Sequence, residues 1–528
     1  MSLAIAFSLT ACGGTVVDDN GGGGGDAKNK TQLFIMNYDG GYGTDWLYDA
    51  IKRFEAQNAD VSFEDGKVGC KITVDPRKAG GSEFTFSTTN VHMAITEQNT
   101  LSAIGSSAME PLDDVMDAIL AQDGVDLPDN ILNALKLGDG HVYAIPHYEG
   151  GGGITYDKDL FNRKKLYIAK DGGYVSASGN LSAGPDGIEG TFDDGLPATY
   201  KEFLDLCDYM KTKNIVPFII SGVYKGWYCS FVLDRFAASY NGENYKANYT
   251  FSGTNVPYVV SATEDDSLFG YSFTTATTDI DSSNAYLLRQ TKGNFCALSI
   301  LNEIVKNKYY DTKGWGSSVT HLDAQERYLR SYKGETGEKP IAMLIDGTWW
   351  QNEARETFES MAYENEYDSA ANRNFGWMPL PTKIDENDTN EGDPLLTVDH
   401  LNALVFLRKD CADGTKKLAK EFIKFLYTPE NLELFTKQTG TTRPFKYEIS
   451  ENTYNGLSSF EKDIWNMHNN DKFVYVHSAN KQYMARQGSW FSQRWQTPNE
   501  SQPLTSFNSG TMTPYEYFTK MWINSTDW

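Results

Sequence analysis

Residues 31 to 36 (TQLFIM) form an apolar-rich run bounded by polar segments, the pattern of a buried β-strand. A glycine-rich loop follows, Asp39-Gly40-Gly41-Tyr42-Gly43, and then an amphipathic helix from about Asp45 to Asn58. Residues 71–74 (KITV), 92–95 (HMAI) and 216–220 read as further strands, and residues 113–120 and 131–137 as helices. Strands alternating with helices predict α/β layers built on a mostly parallel sheet. Ligands of such sheets bind in the crevice beyond the carboxyl ends of the strands. The loops at 37–42 and 96–98 fall at those ends. No internal repeat of fixed period is visible, and no stretch approaches the ~20 apolar residues of a membrane span.

The first thirty residues follow a different pattern and are set apart from the fold. Leu3 to Leu9 is a short apolar run, followed by Leu9-Thr10-Ala11-Cys12-Gly13. That resembles the bacterial lipobox, in which the cysteine is acylated and the preceding peptide removed. No Lys or Arg precedes Cys12, a departure from the usual basic start. Gly21 to Gly25 then supply a flexible tether. Residues 1–12 are thus expected to be a signal and lipobox, and residues 13–30 a tether, with Cys12 joining the protein to a membrane.

Length and charge narrow the picture. A chain of 528 residues exceeds one ordinary core, so two or three packing units are expected. The formal charge of −24 and the lack of a Lys/Arg cluster exclude a nucleic-acid partner. The 31 Tyr and 11 Trp matter more, because each combines a flat apolar face with a polar tip suited to a wet cleft. Of the six cysteines, no two form a CxxC, which speaks against a zinc knuckle or thioredoxin-type site.

Four segments carry a family resemblance. Tyr143-Ala144-Ile145-Pro146-His147-Tyr148 leads through Glu149 and four glycines into Ile154-Thr155-Tyr156-Asp157-Lys158-Asp159-Leu160-Phe161. Ile341-Ala342-Met343-Leu344-Ile345-Asp346-Gly347-Thr348-Trp349-Trp350 is the second. Phe375-Gly376-Trp377-Met378-Pro379-Leu380-Pro381 is the third, and the fourth is Lys417 to Leu426 with Thr428-Pro429-Glu430. In this order, behind a lipobox, they resemble the extracellular solute-binding proteins of carbohydrate importers, the maltose-binding-protein type. The family has Asn more often where Asp157 stands. The resemblance implies a two-lobed fold of the type II periplasmic-binding-protein kind, closing by a hinge around its ligand. It places residues 31–146 and 372–408 in one lobe and 147–371 and 409–528 in the other. It further implies a monomer at the extracellular face of the cytoplasmic membrane, handing a carbohydrate, preferably an oligosaccharide, to the permease subunits of an ABC importer.

A sugar offers a weakly apolar ring face and a rim of hydroxyls, so its pocket needs aromatic planes and fixed polar groups. Asn37, Tyr38, Asp39 and Tyr42 supply both on the first strand-to-helix loop, although Asp39-Gly40 also suits a simple Asx turn. Glu97 and Gln98 follow the 92–95 strand. Tyr148 and Glu149 stand at the crossing between lobes. Asp346, Trp349 and Trp350 follow the strand beginning at Ile341, and Trp349 matches the Trp that the family stacks on sugar. Tyr224 and Trp227 lie on the loop after the 216–220 strand, and Trp490 resembles a late family aromatic.

The sequence offers two other chemistries. The loop from Gly184 to Gly195 carries Asp186, Asp193 and Asp194, oxygen ligands that could hold a structural calcium, but its spacing is not that of an EF-hand and a solvated turn is the better reading. No other cofactor is expected. There is no GxSxG, HExxH, Walker A or GxGxxG, and the seven histidines are scattered. An anchored glycoside hydrolase, whose two carboxylates need not be neighbours in sequence, is the enzymatic alternative. A binding protein for another solute, such as a peptide, is the other.

Overall fold

The structure, a computed structural model, describes residues 27–77, 90–96, 107–137, 139–265, 270–334, 338–399, 403–475, 486, 490, 494–499, 502–522, 525 and 528. Cys12, Glu97 and Gln98 lie outside these residues.

The strand Thr31–Tyr38 turns Leu33 and Ile35 into a core and leaves Phe34 exposed. It is the second strand of a five-stranded sheet that runs, edge to edge, Cys70–Arg77, Thr31–Tyr38, Met93–Thr96, Leu404–Leu407 and Ile145–Pro146. The first three are parallel, and Leu404–Leu407 is antiparallel to both of its neighbours. The helix Asp45–Gln57 buries one stripe, Trp46, Leu47, Ala50, Ile51 and Phe54, at helical spacing. Asp413–Leu426 buries another, Leu418, Ala419, Phe422, Ile423 and Leu426. Both stripes join the sheet in one continuous core.

A second sheet runs Phe375–Trp377, Gly152–Asp157, Ile341–Gly347 and Val216–Ile219. Ile341–Gly347 is parallel to Val216–Ile219 and antiparallel to Gly152–Asp157. All seven of its residues are buried, as in a strand covered on both faces. The helices Lys225–Asn241 and Lys292–Lys306 belong to the core on one side, and His321–Ser331, Arg355–Glu364 and Ser459–Asn469 to the core on the other. A long antiparallel hairpin, Gly253–Glu264 with Tyr271–Ile280, packs against the first of these cores. The molecule is therefore two α/β lobes, as expected.

The division of the chain differs from the expectation in two places. Phe375–Trp377 pairs with Gly152–Asp157, so this segment belongs to the second sheet and not to the first lobe. Leu418, Phe422, Leu432, Phe435 and Phe445 fill the core of the first sheet and not of the second. Where the chain crosses between sheets, Glu149 is fully buried. Its carboxylate accepts a hydrogen bond from the Thr442 hydroxyl (2.6 Å) and from the Tyr475 hydroxyl, and it pairs with Nδ1 of His468. One side chain thus ties three segments of the interlobe region together.

Candidate functional site

Three loops converge beyond the carboxyl ends of parallel strands. The loop after Thr31–Tyr38 is held by its own polar side chains. Asn37 is buried and donates from Nδ2 to the Thr44 hydroxyl (3.0 Å) and to the Gly43 carbonyl (3.2 Å). The Thr44 hydroxyl in turn donates to Asp39 (2.6 Å). Asn37 and Asp39 therefore shape the loop, and Tyr38 folds its ring over Gly40, where a Cβ would come within 2.5 Å of it. The loop carries Tyr42, buried, toward the other lobe. Its ring meets Tyr148 edge-on at 4.4 Å, and its hydroxyl lies 3.4 Å from that of Thr348 in the other lobe.

The loops after Val216–Ile219 and Ile341–Gly347 face it. Trp349 is half-buried, packs against the cores of both lobes and meets Phe231 edge-on at 6.1 Å. Phe231 in turn meets Trp227 at 6.0 Å. Trp227 and Tyr224 are each 48% exposed, available for a ligand to cover, and Tyr224 stacks on Tyr228 and tilts against His321. Trp227, Phe231 and Trp349 therefore form one series of ring contacts, and Tyr42 with Tyr148 form a second pair in the core of the first lobe, against which Trp349 also packs.

Beneath them lies a pair of acids. Asp346 is buried, and Gln325 donates from Nε2 to both Asp346 and Glu353, at 3.0 Å each. Tyr228 is hydrogen-bonded to Asp346 as well. Burial, and after it the nearby charge of Glu353, push the Asp346 carboxyl up to about 8, so it keeps its proton at neutral pH. Glu353 accepts from the backbone N–H of Gly41 (3.0 Å), and Asn352 donates to the Gly41 carbonyl (2.8 Å). The acids thus stand where the two lobes touch.

Several sequence candidates fall elsewhere. Trp350 is fully buried among Tyr328, Phe358, Phe375 and Phe460, and is core. Trp490 is buried too, with its indole N–H donating to the Asn248 carbonyl (2.8 Å) and its ring against Phe251 and Trp528. Glu149 is spent on the interlobe crossing. In the Gly184–Gly195 loop the carboxylates close the loop on itself. Asp193 accepts from the Asp186 N–H (2.9 Å) and the Thr191 hydroxyl (2.7 Å), Asp186 from the Ile188 N–H (2.7 Å), and Asp194 from the Gly190 N–H (2.8 Å). Among the described residues, no group of three or more His, Cys, Asp or Glu side chains is placed to hold a metal ion.

Sequence reasoning missed Phe231, Tyr228, Thr348, Gln325 and Glu353. Gln325 carried a usable signal, as the polar residue on the core-facing stripe of His321–Ser331. Phe231 carried none, because the helix Lys225–Asn241 is buried on nearly every side.

The sequence profile of the bacterial extracellular solute-binding proteins matches residues 49–454, three-quarters of the chain. The chain belongs to that family. This solute-binding protein is also similar in structure to a chitin oligosaccharide binding protein, with a TM-score of 0.54, 16% identity, and 93% of this chain and 97% of that one covered. SBP RafE in complex with raffinose gives 0.52, 14%, 93% and 99%, and maltose-bound T. maritima MalE3 gives 0.53, 14%, 94% and 98%. At these identities the likeness establishes the fold. No curated protein sequence matches the chain. The family is one of extracellular binding proteins, so the acids at the cleft belong to a receptor and not to an enzyme. Among the described residues, no helix is long and apolar enough to cross a membrane.

Proposed function

We propose that this solute-binding protein captures a carbohydrate between its lobes and delivers it to the permease of an ABC importer, acting as a monomer held at the outer face of the membrane through acylated Cys12. The observation that carries the reading is the aromatic series around Trp349, Tyr42 and Tyr148, laid over polar groups at the place where the lobes meet. Aromatic planes receive the apolar faces of sugar rings, and beneath them Gln325, bonded to Asp346 and Glu353, fixes the strand end that precedes Trp349. The chitin oligosaccharide, raffinose and maltose named for similarly folded proteins support the same ligand class. For Cys12 the support is the lipobox-like sequence and the glycine tether after it.

Calorimetry against a panel of mono- and oligosaccharides tests the ligand. We expect saturable binding of at least one member and a loss of roughly tenfold to a hundredfold on Trp349→Ala, the scale of one aromatic stacking contact with its buried area. Failure of the whole panel would move the reading to another solute, with peptides tested next. The reading needs no cofactor. A chelator is expected to leave the melting temperature unchanged, and a fall of several degrees would show that the protein binds a metal ion.

A further inference from the structure

Trp227, the half-exposed end of the aromatic series, borders a second space. A cavity of about 230 Å³ opens behind it, lined by Trp227, Ser230 and Leu233 of one helix, Leu301 of the next, and Gln496 and Gln502 of the C-terminal segment. A single water needs only about 10–15 Å³ of such space, so the cavity is of the size of a small ligand group.

Its outer wall is firmly built. Arg494 and Trp495 hold the segment in place, donating from Nε (3.1 Å) and Nε1 (3.0 Å) to Asp234, a buried acid of the same helix that carries Trp227. The Tyr517 hydroxyl donates to the Trp495 carbonyl at 2.9 Å. Gly226 leaves room for the wall to close, because a Cβ there would stand 2.1 Å from Oε1 of Gln502. This wall lies after residue 454, outside the part of the chain that matches the family profile.

The chemistry of the lining is that of a sugar site, with one exposed indole face and two primary amides, each both donor and acceptor. It stands two ring contacts from Trp349, by way of Phe231. We infer that this cavity is a second saccharide subsite, which receives a ring of an oligosaccharide whose other end lies against Trp349, so that residues 494–499 and 502–504 set the preferred length of the ligand. The inference rests on the carbohydrate reading above and specifies it.

The test is calorimetry with malto-, xylo- and chito-oligosaccharide ladders, from disaccharide to hexasaccharide, on the full chain. For the series that binds, affinity is expected to rise by about tenfold or more with length, two amide hydrogen bonds being enough for that. The double variant Gln496→Ala/Gln502→Ala is expected to lose most of that rise while binding the disaccharide within about twofold of the unaltered protein. Retained disaccharide binding also shows that the variant is folded. A flat ladder, or an equal loss at every length, overturns the subsite and leaves the carbohydrate reading intact. No binding of any ladder by the unaltered protein overturns both.

Discussion

Asp346 and Glu149 are both buried acids near the junction of the lobes, and they do opposite things. Asp346 is held up to about 8 by burial and by Glu353. It is therefore protonated in the folded protein over a range where the unfolded chain has lost that proton. The stability this contributes is complete below about pH 4 and is lost as pH rises through about 8. Asp346→Asn stays neutral throughout. Its stability relative to the unaltered protein, read from denaturant midpoints, is expected to improve by up to about 1.4 kcal/mol per pH unit between pH 5 and 8. A difference that stays constant across that range would show that Asp346 holds no such proton. Glu149, by contrast, gathers Thr442, His468 and Tyr475. Glu149→Ala leaves those groups buried around an empty position and is expected to cost roughly 3–5 kcal/mol by thermal or chemical denaturation. The two acids looked alike in sequence, Glu149 directly after Tyr148 and Asp346 three residues before Trp349. Likewise, Trp350 adjoins Trp349 and is fully buried, while Trp227 stands half in solvent. Residue type gives the chemistry available, but exposure depends on distant segments, and no local pattern records it.

At the scale of elements the reading was better where periodicity is long and poorer where it is short. The strand at Thr31 and the helices Asp45–Gln57 and Asp113–Leu120 stand where their patterns placed them, and Ile341–Gly347 is the strand that the family resemblance implied. Phe375–Trp377 is only three residues long, too short to show a period, so its sequence does not name the sheet and the core that it joins. The glycine run 150–153 makes close approaches whose partners no local pattern names. A Cβ on Gly151 would stand 2.5 Å from Thr397, one on Gly152 2.0 Å from the Phe231 ring, and one on Gly153 2.4 Å from Trp377. Phe231 is the ring between Trp227 and Trp349, so its seat is set by the absence of a side chain at 152. Gly152→Ala is expected to displace that ring, to lower stability by about 1–3 kcal/mol as overpacking does, and to weaken sugar binding. A variant of unchanged melting temperature and unchanged affinity would show that the ring has room to yield.

For the whole molecule, the question is what sets the balance between open and closed lobes. The two lobes touch directly at the cleft, through the Gly41 N–H to Glu353, the Asn352 amide to the Gly41 carbonyl, and the approach of Tyr42 to Thr348. Arg355 adds an exposed pair with Asp45 at 2.7 Å, which contributes little in water. These bonds form only when the lobes are together, so they favour the closed state whether or not a ligand is present. A ligand that contacts both lobes then binds with an affinity scaled by the closed fraction. Asn352→Ala removes one such bond without touching the aromatic series. With a net worth of about 1 kcal/mol, its loss is expected to lower the closed fraction and to weaken binding by up to about fivefold. The ligand-free variant should also show a larger radius of gyration in solution scattering, and a saturating ligand should restore it. Trp349→Ala makes the control, because it removes a ligand contact and is expected to weaken binding through that contact. If Asn352→Ala changes neither affinity nor scattering, the Asn352 bond to Gly41 is passive, and the remaining interlobe contacts and the crossing at Glu149 set the balance.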